Sequence, residues 1–169
     1  MTTLAHTLDA CCTAQALVDT PLGPVRIART ANGLAGLWFE GQKHHPGTLR
    51  APLRPDDPLL RDAAAQLQRY FAGKSASFEL PLDLQGTPFQ RSVWTALLRI
   101  PAGRTCSYGE LARVIGKPRA VRAVGAAVGR NPASLVVPCH RVLGQDGSLT
   151  GYAGGVQRKQ SLLQLEASA

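Results

Sequence analysis

The second half of this sequence is short of acid. From residue 86 onward only Glu110, Asp146 and Glu166 carry negative charge, against eleven lysines and arginines, whereas the first 85 residues hold eight of each sign. The formal net charge of +8 therefore resides in the second half, and a one-sided positive field draws in polyanions, nucleic acid being the commonest. A solvated basic surface is the plainer alternative. No apolar run reaches the length of a bilayer span. The start, MTTLAHTLDACC, has no basic flank leading into an apolar core, so a secretory signal is not expected and a cytoplasmic location (bacterial cytosol or nucleoid) is. The four cysteines, Cys11, Cys12, Cys106 and Cys139, form no C-x-x-C pair and no regular framework, which argues for reduced thiols. Cys11, Cys12, His44 and His45 lack metal-ligand spacing, so neither a metal nor another cofactor is expected.

With 44% hydrophobic and 18% charged residues the chain is expected to fold, as one large or two small domains. Val25 and Ile27 alternate with Arg26, Asn32-Gly33 is a tight-turn signal, and residues 34–39 resume an apolar stretch: a hairpin. Leu60, Ala63, Ala64, Leu67 and Phe71 fall on one helical face with Gly73 as the stop, and Phe78, Leu80, Leu82 and Leu84 alternate as an edge strand bearing Pro81. Residues 1–86 thus read as a small α/β unit without visible chemistry.

Residues 87–169 read as a second, mainly helical domain. Thr87 and Gln90 form a capping box around Pro88, and Phe89, Val93, Leu97 and Ile100 recur at helical spacing up to Pro101. A second box pairs Ser107 with Glu110, with Tyr108, Leu111, Ala112 and Ile115 as the apolar stripe and Gly116 as the stop. The next helix, residues 119–128, is expected to turn Val121, Val124 and Val128 to the core. Arg119, Arg122, Ala123, Gly125, Ala126 and Ala127 would then lie on its outer face, with Arg130 just beyond. Two short helices joined by a glycine turn, the second with arginines among small residues, make a helix-turn-helix able to approach a phosphate backbone closely. A further helix packed on the alanines explains the same pattern.

The run VVPCHRV is too apolar for a surface loop, yet it holds Cys139, His140 and Arg141. Pro138 biases Val137 to extended backbone, so the Cys-His pair should sit on a constrained turn. A free thiol is only a few per cent ionised at neutral pH, roughly, and an imidazole can take its proton. Neighbouring side chains of an extended segment point apart, so His140 would need the turn or a water to reach the sulfur. In the last helix Glu166 shares a side with Leu162 and Leu163, and a carboxylate on a buried stripe needs a partner, for which His140 is the natural choice. Glu orienting His, with His activating Cys, is triad logic; a solvated C-terminal glutamate and a chance Cys-His pair stand beside it.

The segments FQRSVWTALLRIPAGRTCSYGELARVIGKPRAVRAVGAAVGRNP, VVPCHRV and GSLTGYAGGVQRKQSLLQLE together resemble the O6-alkylguanine-DNA alkyltransferase family, methylated-DNA-protein-cysteine methyltransferases of the bacterial Ogt kind. TPLGPVRIA and LRDAAAQLQRYFAG resemble pieces of the family's N-terminal domain. The resemblance implies a ribonuclease-H-like α/β domain over residues 1–86 and a mainly α domain with a winged helix-turn-helix over residues 87–169. It implies direct-reversal repair of double-stranded DNA by a monomer, which can cluster along the duplex. The methyl or other alkyl group of O6-alkylguanine, with O4-alkylthymine as a second substrate, would pass irreversibly to Cys139 after nucleotide flipping, one turnover per molecule.

By the same resemblance His140 is the base acting through water, Glu166 orients it, Tyr108 protonates the departing guanine and touches DNA, and Asn131 is the hinge between recognition helix and acceptor turn. Arg122 enters the duplex where the nucleotide was, with Arg119, Ala123, Ala126, Ala127 and Arg130 on the same DNA face. Tyr152, Ala153 and Gly154 wall the pocket together with Val137 and Pro138, Lys159 lies near it and Trp94 beneath it. Ala153 departs from relatives that carry a hydroxyl there, and no metal ligand set matches. A helix-turn-helix repressor or non-reactive lesion sensor is the first competing reading, but sensors in this family lack the acceptor cysteine. A cysteine hydrolase explains the triad and leaves the basic second half without a purpose.

Overall fold

The computed structural model describes residues 3–169. The first half opens with helix α1 (Leu4–Cys11), followed by strands β1 (Ala14–Val18), β2 (Val25–Arg29) and β3 (Leu34–Phe39) and helix α2 (Pro58–Phe71). The strands form one antiparallel sheet in the order β1-β2-β3, with Val25 opposite Phe39 and Ile27 opposite Leu37. The hairpin lies where the Asn-Gly signal put it, closed by a hydrogen bond from Thr30 N–H to Gly33 O at 2.9 Å. Strand β1 and helix α1 were not anticipated. Ala14, Gln15 and Ala16 have little intrinsic strand preference, and pairing along β2 imposes the conformation.

Helix α2 starts on Asp57, whose carboxylate accepts from the N–H groups of Leu59 and Leu60, with Pro58 in the first turn where a missing N–H costs nothing. Leu60, Ala63, Leu67 and Tyr70 are its buried residues. Each large one contributes roughly 1.5–3 kcal/mol. The face is thus rotated slightly from the expected one, Tyr70 replacing Phe71 at its centre. The expected strand at residues 78–84 is a correction. Leu34 N–H donates to Pro81 O at 2.7 Å and Asp83 N–H to Leu34 O at 2.8 Å, a single bridge rather than a ladder. Pro81 has no N–H to extend it.

The second half comprises α3 (Pro88–Leu97), β4 (Cys106–Ser107), α4 (Tyr108–Val114), α5 (Val121–Gly129), a 3₁₀ turn over Cys139–Arg141, β5 (Val142–Leu143) and α6 (Val156–Ala167). Both capping boxes are present, reciprocal in each case. Gly116, at φ 73°, ends the α4 segment where a left-handed residue is required. The parallel β4–β5 pair, Cys106 opposite Val142, fastens the start of α4 to the end of the acceptor turn.

One hydrophobic core runs through both halves, from Ala14 and Ile27 to Val93, Val137 and Leu162. The free edge of β3 is also occupied from the second half: Leu37 N–H donates to Pro132 O at 2.8 Å and Ser134 N–H to Leu37 O at 3.0 Å. The segment leading to Cys139 is thereby laid along the N-terminal sheet. Gly36 permits the approach, since a Cβ there would stand 2.7 Å from Pro132 O.

Candidate active site

The 131–139 segment is folded by short-range bonds that leave it little freedom. Asn131, buried at the end of α5, donates from Nδ2 to Val137 O at 2.8 Å and accepts the Ala133 N–H on Oδ1 at 3.0 Å. Val137 N–H reaches Ala133 O, and Cys139 N–H reaches Val137 O. Leu135 sits at φ 73°, an uncommon conformation for a branched side chain that such cross-linking sustains. The outcome is a knot that sets Cys139, 4% exposed, at the head of the 3₁₀ turn. Burial pushes the Cys139 thiol up, only partly countered by the Asn131 side chain, the Lys159 charge and nearby backbone N–H groups. The resting group is the thiol, so nucleophilic attack requires its proton to be removed.

His140, fully buried, is able to accept such a proton. Its Nε2 lies 2.7 Å from Glu166 Oε1. An ionised carboxylate can only accept, so Nε2 carries the hydrogen and Nδ1 the lone pair, and Nδ1 has no protein partner. Burial lowers the His140 pKa against the opposing pull of Glu166, which keeps the ring neutral and basic at neutral pH. Glu166 is more heavily bonded than the triad pattern alone implies. Oε1 also accepts from Tyr70 Oη at 2.8 Å and from a terminal guanidinium nitrogen of Arg141 at 2.8 Å, while Oε2 accepts from Arg141 Nε at 2.9 Å. Burial pushes this carboxyl up, but the bonds from His140 and Arg141, with the Arg141 charge, bring it down to about 2. Arg141, permanently charged, is the dependable countercharge.

Lys159 is fully buried and meets no carboxylate. Its ammonium donates to Val142 O at 2.5 Å and Thr150 O at 2.9 Å, tying the acceptor turn to the loop before α6. Burial lowers its pKa, and Cys139 works in the opposite sense.

A cavity of about 570 Å³ opens above Cys139, in the size range of small-molecule pockets. Tyr108, Tyr152 and Ala153 line it as expected, joined on the α5 side by Gly125 and Val128. Burial raises the pKa of Tyr108, so its hydroxyl stays protonated and able to donate. Pro138, Val137, Gly154 and Trp94 do not line the cavity. Val137 and Pro138 stand behind the sulfur within the knot, and Trp94 lies under α5, its indole N–H donating to Ala127 O at 2.8 Å. Two corrections fall on α5. Ala127 is buried against α3 rather than on the outer face, and Val121, expected in the core, is 38% exposed in a first turn that has no side-chain cap. Arg119, Arg122, Ala123, Ala126 and Arg130 are exposed, as expected.

Four residues at the site carry no local sequence signal of their role. Arg141 was visible only as a neighbour of His140. Tyr70 is 96 residues from the carboxylate it bonds, although a buried phenol usually finds a partner. Lys43 and His44, from the loop after β3, stand on the cavity wall, so the first half is not without chemistry.

Comparison with known proteins agrees along nearly the whole chain. Residues 88–168 match the family described as 6-O-methylguanine DNA methyltransferase, DNA binding domain, and residues 14–84 match its ribonuclease-like domain. A methylated-DNA–protein-cysteine methyltransferase of Mycobacterium tuberculosis is 49% identical over 151 residues, 89% of this chain and 90% of that protein. An inducible one of Bacillus subtilis is 44% identical over 153 residues, 90% of this chain and 84% of that protein. The crystal structure of Mycobacterium tuberculosis OGT in complex with DNA superposes with a TM-score of 0.83 at 46% identity, covering 92% of this chain and 93% of that one. The chain, with a buried Cys139 and a neutral His140 side by side in one 3₁₀ turn, belongs to the 6-O-methylguanine DNA methyltransferase family.

Proposed function

We propose that the chain repairs double-stranded DNA by direct reversal, as a methylated-DNA–[protein]-cysteine S-methyltransferase that moves the methyl group of O6-methylguanine to Cys139 once per molecule. The observation that carries this reading is the placement of a buried Cys139 under an open cavity, next to a histidine whose tautomer is set by Glu166. Residues 87–169 supply the acceptor and the DNA-binding helix pair, and residues 1–86 support them.

The lesion oxygen is hidden in the base stack, so the nucleotide must rotate out at a cost of a few kcal/mol, roughly. Arg122, exposed on α5, offsets this by filling the gap, while outward Ala123 and Ala126 let the helix axis approach the backbone. In the cavity the Cys139 proton passes through a water to His140 Nδ1, and the sulfur attacks the methyl carbon. The carbon–O6 bond breaks, its electron pair stays with guanine, and Tyr108 delivers a proton to the departing ring. The product is a thioether plus unmodified guanine, and the proton taken up at His140 balances the one given by Tyr108, which is reprotonated through solvent. No water-labile bond remains on sulfur, so the protein is consumed.

Incubation with a duplex containing O6-methylguanine, followed by intact and peptide mass analysis, is expected to show a single methyl adduct on the Cys139 peptide, saturating at one equivalent. Cys139→Ala should bind the duplex and take up nothing. Repair of lesions in excess over protein, or lesion loss with an unmodified Cys139 peptide, would refute the assignment.

A further inference from the structure

The loop after β3 brings to the cavity a cation, Lys43, and an imidazole, His44, that the reaction above does not use. Lys43 and His44 form part of the wall that also holds Cys139, and no aspartate or glutamate lines that cavity. Three arginines of this half are paired, Arg26 at 3.0 Å from Glu40, Arg29 at 3.0 Å from Asp57 and Arg50 at 2.7 Å from Asp9. The ion pairs found among the described residues include none from Lys43, His44 or Arg130, and all three side chains are exposed. Val128 and Gly129, at the end of α5, line the same cavity as Lys43 and His44, so Arg130, the next residue in the chain, emerges beside this corner; burial, then the charges of Arg130 and Lys43, lower the His44 pKa.

The corner is built rather than loose. Lys43 N–H donates to Ala153 O at 3.0 Å, tying it to the loop that walls the cavity. The buried Gln42 side chain accepts the Phe39 N–H at 2.8 Å and donates to Lys43 O at 3.2 Å. His44 is held at φ 60°, one of only two non-glycine residues with positive φ among those described, the other being Leu135 in the acceptor knot. Strain of that kind persists where the surroundings over-determine it, and it clusters at functional sites.

We propose that Lys43, His44 and the end of α5 at Arg130 form a rim contributed by both halves of the chain, Lys43 and Arg130 supplying charge and the His44 imidazole a hydrogen-bond donor, which holds the phosphodiester flanking the nucleotide whose base occupies the cavity. The proposal rests on the alkyl-acceptor reading and adds to it a phosphate subsite outside the helix pair. Such a subsite acts on DNA and not on a free base, because only the former brings a phosphate to the rim.

The test compares methyl transfer from a duplex oligonucleotide with transfer from free O6-methylguanine. The double variant Lys43→Gln/His44→Asn removes charge while asparagine tolerates the left-handed backbone. Its ratio of duplex to free-base rate is expected to fall about tenfold or more, and the slope of log rate against log salt on duplex to become shallower by about one. Lys43→Arg should restore most of the ratio. An unchanged ratio, or an equal fall on both substrates, would overturn the rim. Wild-type protein that transfers from neither substrate would instead overturn the alkyl-acceptor reading, and the rim with it.

Discussion

Replacing Glu166 by glutamine tests the centre of the site, because it keeps volume and removes charge from a side chain that is 1% exposed. The carboxylate accepts four hydrogen bonds, from Tyr70, His140 and twice from Arg141. Glutamine can accept on one oxygen only, and its NH₂ faces donors, so at least one bond is lost and the Arg141 guanidinium, 7% exposed, is left without a countercharge. Breaking a buried pair from one side costs about 3–5 kcal/mol, against a total stability on the order of 5–15 kcal/mol for a domain of this kind. At roughly 2–4 °C per kcal/mol for a chain of this length, the melting midpoint should drop by about 6–20 °C. Methyl transfer should slow as well, since Nε2 is no longer held as the protonated nitrogen. General-base assistance is worth about 10²–10⁴-fold, and losing its orientation should remove about 10- to 100-fold of it. Urea unfolding gives the first quantity and single-turnover transfer the second, at a temperature where the variant is folded. A stability loss below about 1 kcal/mol, or an unchanged transfer rate, would refute the argument that this carboxylate organises the site.

Arg122→Ala should slow transfer from duplex far more than transfer from free O6-methylguanine, as the flipping role proposed for this exposed arginine requires; equal losses on the two substrates would remove it from the flipping step. Stability should fall in acid in two stages of the same sign. The His140 pKa is lowered in the fold, so below its ordinary value of 6.5 the unfolded chain binds the extra proton first, and stability declines. Glu166, brought from 4.5 to about 2, adds a second loss between those values of about 3 kcal/mol, with Arg141 as the partner lost. Urea midpoints at pH 7, 5 and 3 measure both, and a flat series would contradict them.

What the sequence reveals here is what is local along the chain. The two capping boxes need only a hydroxyl and a carboxamide or carboxylate three residues apart, and both formed as read. The Cys139-His140 pair and the side of α6 on which Glu166 falls are equally short-range. Alternation at residues 78–84 misled because period two reports that one face is covered, not that a ladder exists; Pro81 stops the ladder at one bridge. Ala127 misled for a related reason. On a helix made largely of valine, alanine and glycine the apolar stripe has no sharp edge, and the Trp94 indole bond to Ala127 O, invisible in the spacing, fixes which small residue turns inward.

The residues that sequence could not place join the two halves. Tyr70 crosses from α2 to Glu166, Leu37 pairs with the backbone that leads to Cys139, and Lys43 is bonded through its N–H to the loop walling the cavity. Each is a contact between chain-distant groups, and none has a periodicity. They also explain how a first half with balanced charge serves a basic partner-binding half. A thiol raised by burial and a histidine kept neutral by burial need an enclosed, rigid setting, and the first half helps to close it around residues 131–141. The sheet edge supplies the backbone partners of Pro132 and Ser134, and the Tyr70 hydroxyl occupies an acceptor site on Glu166 that would otherwise need solvent. Excluding water from the carboxylate preserves the hydrogen on Nε2 and so leaves the lone pair on Nδ1, the side on which the thiol proton must arrive.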